Sequence, residues 1–444
     1  MWTYEESLEW LYRRQALGIK LGLDKVERLL SALGDPQGTF HSIHVAGTNG
    51  KGSVCRMLAE TLRRSGRRVG CTTSPHLVSF TERIEVDGQA LARDEVARLL
   101  EHVRPHVEAL DAQSQPPTFF EVVTAMAFTH FRDAGVEWAV VEAGMGGRLD
   151  ATNVLEPELT VITNVDLDHQ QHLGETVGLI AFEKAGIMKP RTPCVTAAKG
   201  EALRVLIGRS HEIGCPMSII GADYRVVESP VGEGRGLVLL RPTGQSMYDV
   251  GLAGPHQREN AAIVVAAVEA LRSYGVDIPE RAVREGIRDV RHPGRLESFQ
   301  LDAHSLAPGR IGAVQVLIDG AHNVAAARAL RGHLDAIGWS GYHLITGFCA
   351  DKDWAKAVAE WAPLATHTWA VPVCNPRSLA PAALRDEVRR RGWSATDAGS
   401  AASALNRAAA AGATRIVVAG SLFLAGEARA VLTGTSLEEI RGRQ

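Results

Sequence analysis

One stretch constrains the fold more than any other. HSIHVA (41–46) runs directly into GTNGKGS (47–53), after which Val54, Met57, Leu58 and Leu62 recur at helical spacing until Gly66. An apolar strand, a glycine-rich loop and an amphipathic helix in that order make the opening βα unit of a parallel sheet, with Gly66 as the helix stop. Such a loop also has a chemistry. Glycines let backbone N–H groups converge on phosphate oxygens, the helix N-terminus adds positive potential, and Lys51 is placed to reach the β- and γ-phosphates of a nucleotide. The string departs from G-x-x-x-x-G-K-[ST], because Val45 stands where the first glycine belongs and Gly52 pushes the hydroxyl one place on, to Ser53. On spacing alone, a glycine turn without a nucleotide is the alternative.

The rest of the chain extends the pattern. An amphipathic helix opens it, and the runs at 138–141 and 159–163 are nearly continuous apolar segments, as interior parallel strands are. Between 223 and 243 the pattern changes to short β-like runs broken by VGEGRG, which predicts a small hairpin appended to the main sheet. A helix over 260–274 closes this half. At RHPGRLE (291–297) a Pro-Gly pair interrupts, and alternation restarts: strands at 314–318, 342–346, 367–373 and 415–420, with helices at 324–337 and 381–391. The expected fold is α/β, with two doubly wound domains: 1–294, a P-loop ATPase-like domain with a small β appendage, and 295–444, a smaller Rossmann-like domain. A length of 444 residues agrees with two cores rather than one.

Composition removes several classes of function. Lys plus Arg (48) nearly balances Asp plus Glu (51), so there is no basic field of the kind nucleic-acid or anionic-membrane binding needs. No segment approaches the ~20 apolar residues of a membrane span, and the start, MWTYEESLEW, carries acids where a signal peptide carries bases. The six cysteines are widely separated, without a C-x-x-C pair. A soluble, cytoplasmic monomer is expected.

Three further strings carry candidate chemistry. In VVEAGMGGRLDATN (140–153) an apolar strand delivers Glu142 at its C-terminal end, where open α/β sheets bind ligands and where a carboxylate can hold the magnesium that bridges nucleotide phosphates. The glycines that follow permit close approach of a substrate. VITNVDLDH (161–169) ends in Asp166, Asp168 and His169, a cluster able to supply a second metal ligand. EKAGIMKP (183–190) sets Lys184 among apolar neighbours on a helix, where a lysine ordinarily faces solvent. TSPHL (73–77), GPHQREN (254–260), DGAHN (319–323) and GSLFLAGE (420–427) hold more glycine, histidine and asparagine than packing requires; the last two follow apolar strands and open helices.

In this order GTNGKGS, TSPHL, VEAGMGGRLDATN, EKAGIMKP, HPGR, DGAHN and GSLFLAGE resemble the dihydrofolate synthase / folylpolyglutamate synthase family of the Mur ligase superfamily, from about residue 5 to residue 430. GTNGKGS, with glycine after the lysine, is the form this family uses. The resemblance implies transfer of the ATP γ-phosphate to a carboxylate of dihydropteroate or a reduced folate, followed by attack of the L-glutamate amine. It implies that Gly47, Thr48, Asn49, Gly50, Lys51, Gly52 and Ser53, with Asn260, Arg295 and Asp319, bind ATP. Two Mg2+ ions would be held by Ser74, Glu142, His169 and Lys184, with Ser53 as a further contributor; Lys184 matches a lysine that is carbamylated in the superfamily. Lys51, Glu142, His169 and Lys184 are thus the implied catalytic set. His322 and Ser421 match positions near glutamate, while Arg83, Thr118, Phe120, Glu121 and Asp150 would border the pterin; Asp150 and the 118–121 loop match the dihydropteroate-binding region and tilt the reading toward a bifunctional enzyme. Asp166 and His292 depart from the family's habit of a small or apolar residue and an aromatic, respectively.

Rival readings are a folylpolyglutamate synthase alone, a cell-wall Mur ligase, for which the some 40 residues before the loop are too few, and a P-loop ATPase that makes no bond. The resemblance further predicts that the two domains close on one another during turnover.

Overall fold

The computed structural model describes residues 2–18, 20–228, 236–241, 244–307, 309–310 and 312–435. Contacts divide the chain into two units: Met1–His76, Thr81–Gly251 and His256–Arg291 form the first, and Leu77–Phe80, Leu252–Pro255 and His292–Gln444 the second.

In the first unit eight strands form one sheet: β1 His41–Ala46, β2 Val69–Thr72, β3 Ile84–Val86, β4 Gln89–Ala90, β5 Trp138–Glu142, β6 Leu159–Ile162, β7 Cys194–Thr196 and β8 Met217–Ile219. Their order is β4-β3-β2-β5-β1-β6-β7-β8, parallel from β2 to β8 with an antiparallel edge at β3 and β4. β1 therefore lies mid-sheet between β5 and β6, and all its residues but His41 are buried. With both faces covered, a strand reads as a continuous run instead of an alternation. Connections after β1 run to one side of the sheet and those after β6 to the other, so the carboxyl ends of β1, β5 and β6 meet where such sheets form a crevice. His44, at the centre of β1, is fully buried; burial, and then the charge of Lys189, lower its pKa to about 3, and its Nε2 lies 2.7 Å from Thr152 Oγ1.

The small β element differs from the expectation. It has three antiparallel strands, β9 Arg225–Glu228, β10 Gly236–Arg241 and β11 Gly244–Asp249, and forms a sheet of its own that, among the described residues, pairs with no strand of the main one. The reason is that it has its own packing partner. Leu237, Leu239 and Tyr248 are buried, and β11 packs on the helix Glu280–Asp289, where Tyr248 donates to Glu280 and Arg284 lies over the tyrosine ring. VGEGRG lies almost wholly outside the described residues. The helix expected from 260 begins five residues earlier, as Pro255–Ser273.

The second unit carries a six-stranded sheet: β12 Glu297–Asp302, β13 Ala313–Ile318, β14 Tyr342–Thr346, β15 Ala365–Ala370, β16 Ala395–Asp397 and β17 Arg415–Ala419, in the order β12-β13-β17-β14-β15-β16. All pairs are parallel except β12 on β13. Two apolar clusters, one containing Val316, Ile345 and Leu405 and the other Leu317, Leu344 and Trp361, make it a doubly wound layer as expected. Among the described residues no helix is long and apolar enough to cross a membrane.

Candidate active site

The loop after β1 is shaped by two glycines that nothing else can replace. Gly47 (φ +149°) and Gly50 (φ +84°) have conformations that side chains rarely adopt, and an added Cβ would lie 1.9 Å from Thr163 Oγ1 and 2.6 Å from Asn260 Oδ1, respectively. Gly50 caps the helix Lys51–Arg64, whose first-turn N–H groups, including those of Gly52 and Ser53, have no intrahelical acceptor. The loop amides do not all converge on a phosphate position, however. Thr48 N donates to Asn164 O (2.9 Å) and Asn49 N to Asn164 Oδ1 (2.8 Å), while Thr163 Oγ1 donates to Asn49 O (2.7 Å). Lys51 Nζ donates to Gly47 O and Thr48 O and lies 3.9 Å from Glu142 Oε1. Ser53 is buried and its Oγ accepts from Gln257 Nε2 (3.3 Å), whose own Oε1 accepts from Asn260 Nδ2.

Glu142 ends β5 and is only 6% exposed; its Oε2 accepts from Ser74 N (3.0 Å), which brings Ser74 to the same place. Lys184 departs from the habit of helical lysines. It is 4% exposed, on the helix Val177–Ala185, and its Nζ donates to Gly47 O (2.8 Å). Burial first, then the charge of Lys51, push its pKa down to about 7, against an upward pull from Asp168 and Asp150. Gly47, Thr48, Lys51, Gly144, Met145, Gly146, Asp168, His169, Leu173 and Lys184 line one small cleft. His169 stands at its rim with φ +50°. Asp166 does not line it: that residue is exposed, and its carboxylate accepts from Leu167 N in a turn.

The donor set fits magnesium of one kind. Among the described residues no three His, Cys, Asp or Glu side chains gather as a metal cage. Mg2+ rarely uses such a cage; it takes one or two carboxylates and completes its shell with water and substrate phosphates. One buried carboxylate, Glu142, beside Ser74 and the loop answers that description. Lys184 as an ammonium does not, and only as a carbamate does it become an oxygen donor.

The glycines after Glu142 also serve packing. A Cβ on Gly144 would lie 2.6 Å from the Phe120 ring, and one on Gly147 2.9 Å from Glu183 O, so Phe120 and the helix Val177–Ala185 approach the loop where a side chain would stand. Asn153 Nδ2 ties Arg148 O to Gly186 O, and Arg148 pairs with Glu183, which joins VEAGMGGRLDATN to EKAGIMKP. Asp150 is buried and accepts from Met145 N and Thr152 N. Thr118 and Glu121 form a reciprocal capping box on the helix Phe119–Asp133, with Lys25 3.4 Å from Glu121. T-x-x-E is readable in TFFE as that cap. Arg83, also buried, donates to His76 Nδ1 (2.8 Å) with its guanidinium 5.3 Å from the Phe119 ring.

In the second unit, Asp319 Oδ1 and Oδ2 accept from Ala321 N and Leu296 N, and burial raises its pKa against the pull of Arg295. Arg295 reaches over Gly320, where an added Cβ would lie 3.0 Å from its Nη1. His322 Nδ1 lies 2.8 Å from Gly320 O, and Ser421 caps the helix Leu422–Thr433 by accepting from Phe423 N. The residues that sequence reasoning passed over are Thr163, Asn164 and Gln257. The first two were visible as polar residues directly ending an apolar strand.

The profile of the Mur ligase middle domain matches residues 45–268, and that of the Mur ligase, glutamate ligase domain, matches 307–422. Dihydrofolate synthase/folylpolyglutamate synthase of Bacillus subtilis is 38% identical over 328 residues, 72% of this chain and 74% of the relative. A probable bifunctional folylpolyglutamate synthase/dihydropteroate synthase of Haloferax volcanii is 34% identical over 441 residues, 97% of this chain and 50% of the relative, so the chain spans about half that protein's length. Structures of Mycobacterium tuberculosis folylpolyglutamate synthase complexed with ADP and AMPPCP match at TM-score 0.86 and 33% identity, covering 98% of this chain and all (100%) of that one. By sequence and by fold, the chain belongs to the dihydrofolate synthase/folylpolyglutamate synthase family of the Mur ligases.

Proposed function

We propose that the chain is an ATP-dependent ligase that joins L-glutamate to a pterin carboxylate through an acyl phosphate, and that it acts on both dihydropteroate and reduced folates. One observation carries the reading: Lys51, Glu142 and Lys184 meet around Gly47 at the carboxyl ends of β1 and β5, beside the N-terminus of the helix Lys51–Arg64. Phosphoryl transfer needs mainly positioning and neutralisation of charge, and half-buried Lys51, beside the first-turn amides of its own helix, supplies both.

In this reading Lys51 and the amides at 51–53 hold the β- and γ-phosphates, with Asn260, from its own helix, contacting the nucleotide. A substrate carboxylate oxygen attacks the γ-phosphorus and ADP leaves. The glutamate nitrogen then attacks the carbonyl carbon of the acyl phosphate, phosphate departs, and the amine proton passes to solvent. Ser74, Glu142, His169 and Lys184 would hold Mg2+, with Ser53 contributing; the ions, when bound, neutralise charge on the transferring phosphoryl group. Lys184 would join them after its neutral amine adds to CO2, losing a proton to give a carbamate. A lysine pKa near 7 keeps a large fraction of that amine neutral at physiological pH. His322 and Ser421 are assigned to glutamate, and Arg83, Thr118, Phe120, Glu121 and Asp150 to the pterin side. None of the six cysteines forms a disulfide, which supports a cytoplasmic setting.

The test is a co-substrate screen in which ATP and glutamate are offered with dihydropteroate or tetrahydrofolate. Phosphate release is expected only when both acceptor and donor are present. Full-rate release without either makes the chain an ATPase, and product from tetrahydrofolate alone narrows it to a folylpolyglutamate synthase. A mass increase of one carboxyl group on Lys184 tests the carbamate.

A further inference from the structure

We infer that Thr163 and Asn164, just past β6, are positioning residues for the nucleotide, holding the phosphate loop from outside without touching the phosphates; this rests on the ATP-dependent reading above. Residues 48 and 49 precede the helix cap at Gly50, so no helix ladder restrains them, and the glycines on either side leave the backbone soft. Beside the contact of Lys51 Nζ with Thr48 O, one neighbouring segment restrains them. Asn164 accepts from two consecutive amides, Thr48 N through its carbonyl (2.9 Å) and Asn49 N through its side chain (2.8 Å). Thr163 Oγ1 donates to Asn49 O (2.7 Å), and Thr48 Oγ1 faces both Asp166 N (3.0 Å) and Asp166 O (3.2 Å).

Thr163 also explains Gly47. Its hydroxyl occupies the volume where a Cβ of residue 47 would fall, so hydroxyl and glycine are a matched pair. The same segment continues into Asp168 and His169, which line the cleft. Loop and rim histidine are thereby one braced body, in which bonds within the protein order residues 48–49. Pre-ordering of this kind lowers the cost of binding.

The experiment compares Thr163→Val, which keeps the shape and removes the donor, with Thr163→Ser, which keeps the donor, and adds Asn164→Ala. ADP binding is measured by titration calorimetry, and Michaelis constants for ATP and glutamate are measured alongside. Thr163→Val and Asn164→Ala are each expected to weaken ADP binding about tenfold, the size of one lost hydrogen bond, with the KM for glutamate unchanged. Thr163→Ser is expected to bind as the parent does. Parent-like ADP affinity in Asn164→Ala, or equal losses in Thr163→Ser and Thr163→Val, would overturn the inference. Asn164 is only half-buried, so its variant keeps the test open if Thr163→Val does not fold. Lys51→Ala is the control for the underlying reading: if the parent and this variant bind ADP alike, the ATP site itself is wrong.

Discussion

The two units place polar residues at the same kind of address, the carboxyl ends of parallel strands, and use them differently. In the first, glycines take the difficult backbone positions, and Lys51, Glu142 and Lys184 converge around Gly47, where their bonds to Gly47 O, Thr48 O and Ser74 N leave charged atoms facing one another. In the second, the side chains themselves build the turns. Asp319 spends both oxygens on backbone amides, Asn323 and Ser421 cap helices, and His322 sits against Gly320 O. A polar residue at a strand end is therefore a weak sign of chemistry until it is known whether the local backbone consumes it.

The largest effect expected from this contrast is on turnover. Lys51→Ala or Glu142→Ala should lower kcat at least ~1000-fold, because the charge developing on the phosphoryl group loses its contact or its metal. Steady-state assays in which Ser421→Ala fell equally far would break the contrast. Gly50→Ala comes next: the +84° φ and the approach of Asn260 Oδ1 should weaken nucleotide binding about 100-fold, measured by titration. Near-normal affinity there would mean that the loop can shift.

A smaller effect concerns His44 under the loop. Its native pKa is about 3, and an unfolded histidine titrates near 6.5, so between those values the unfolded chain binds a proton that the native one does not. Its stabilising contribution is complete above about pH 6.5 and is lost as pH falls, reaching roughly 2 kcal/mol by pH 5. Denaturation curves at pH 7 and 5 should converge in His44→Gln, and an unchanged pH slope would sink the assignment. Smallest is the cap. Ser421→Ala should cost about 1 kcal/mol of stability in urea titrations. A raised KM for glutamate in that variant would show that Ser421 touches substrate as well as capping its helix.

Much of the fold was legible because it is written in local patterns. The strand at 41–46, the helix begun at Lys51 and the strands at 342–346 and 415–419 stand where periodicity puts them. Other elements escaped for physical reasons. β12 is an edge strand whose Phe299 and Leu301 are only partly covered, and β16 is three residues long. In sequence the small sheet reads as an appendage of the main one, because nothing local tells a strand that pairs with its neighbour from one that packs on a helix. TFFE shows how a resemblance can hide a simpler cue: Thr118 and Glu121 satisfy each other's backbone amides, as a capping box does.

By itself the sequence determined the βα rhythm, the glycine positions of the phosphate loop and the family's string of motifs, since each depends on residues a few places apart. Only the tertiary structure decided what Lys184 is. The helix VGLIAFEKA is apolar around most of its surface, so its pattern does not say which way the lysine faces. Its burial and lowered pKa come from packing against a loop 137 residues away. A charged group's chemistry is set by what surrounds it in space, and long-range packing supplies that.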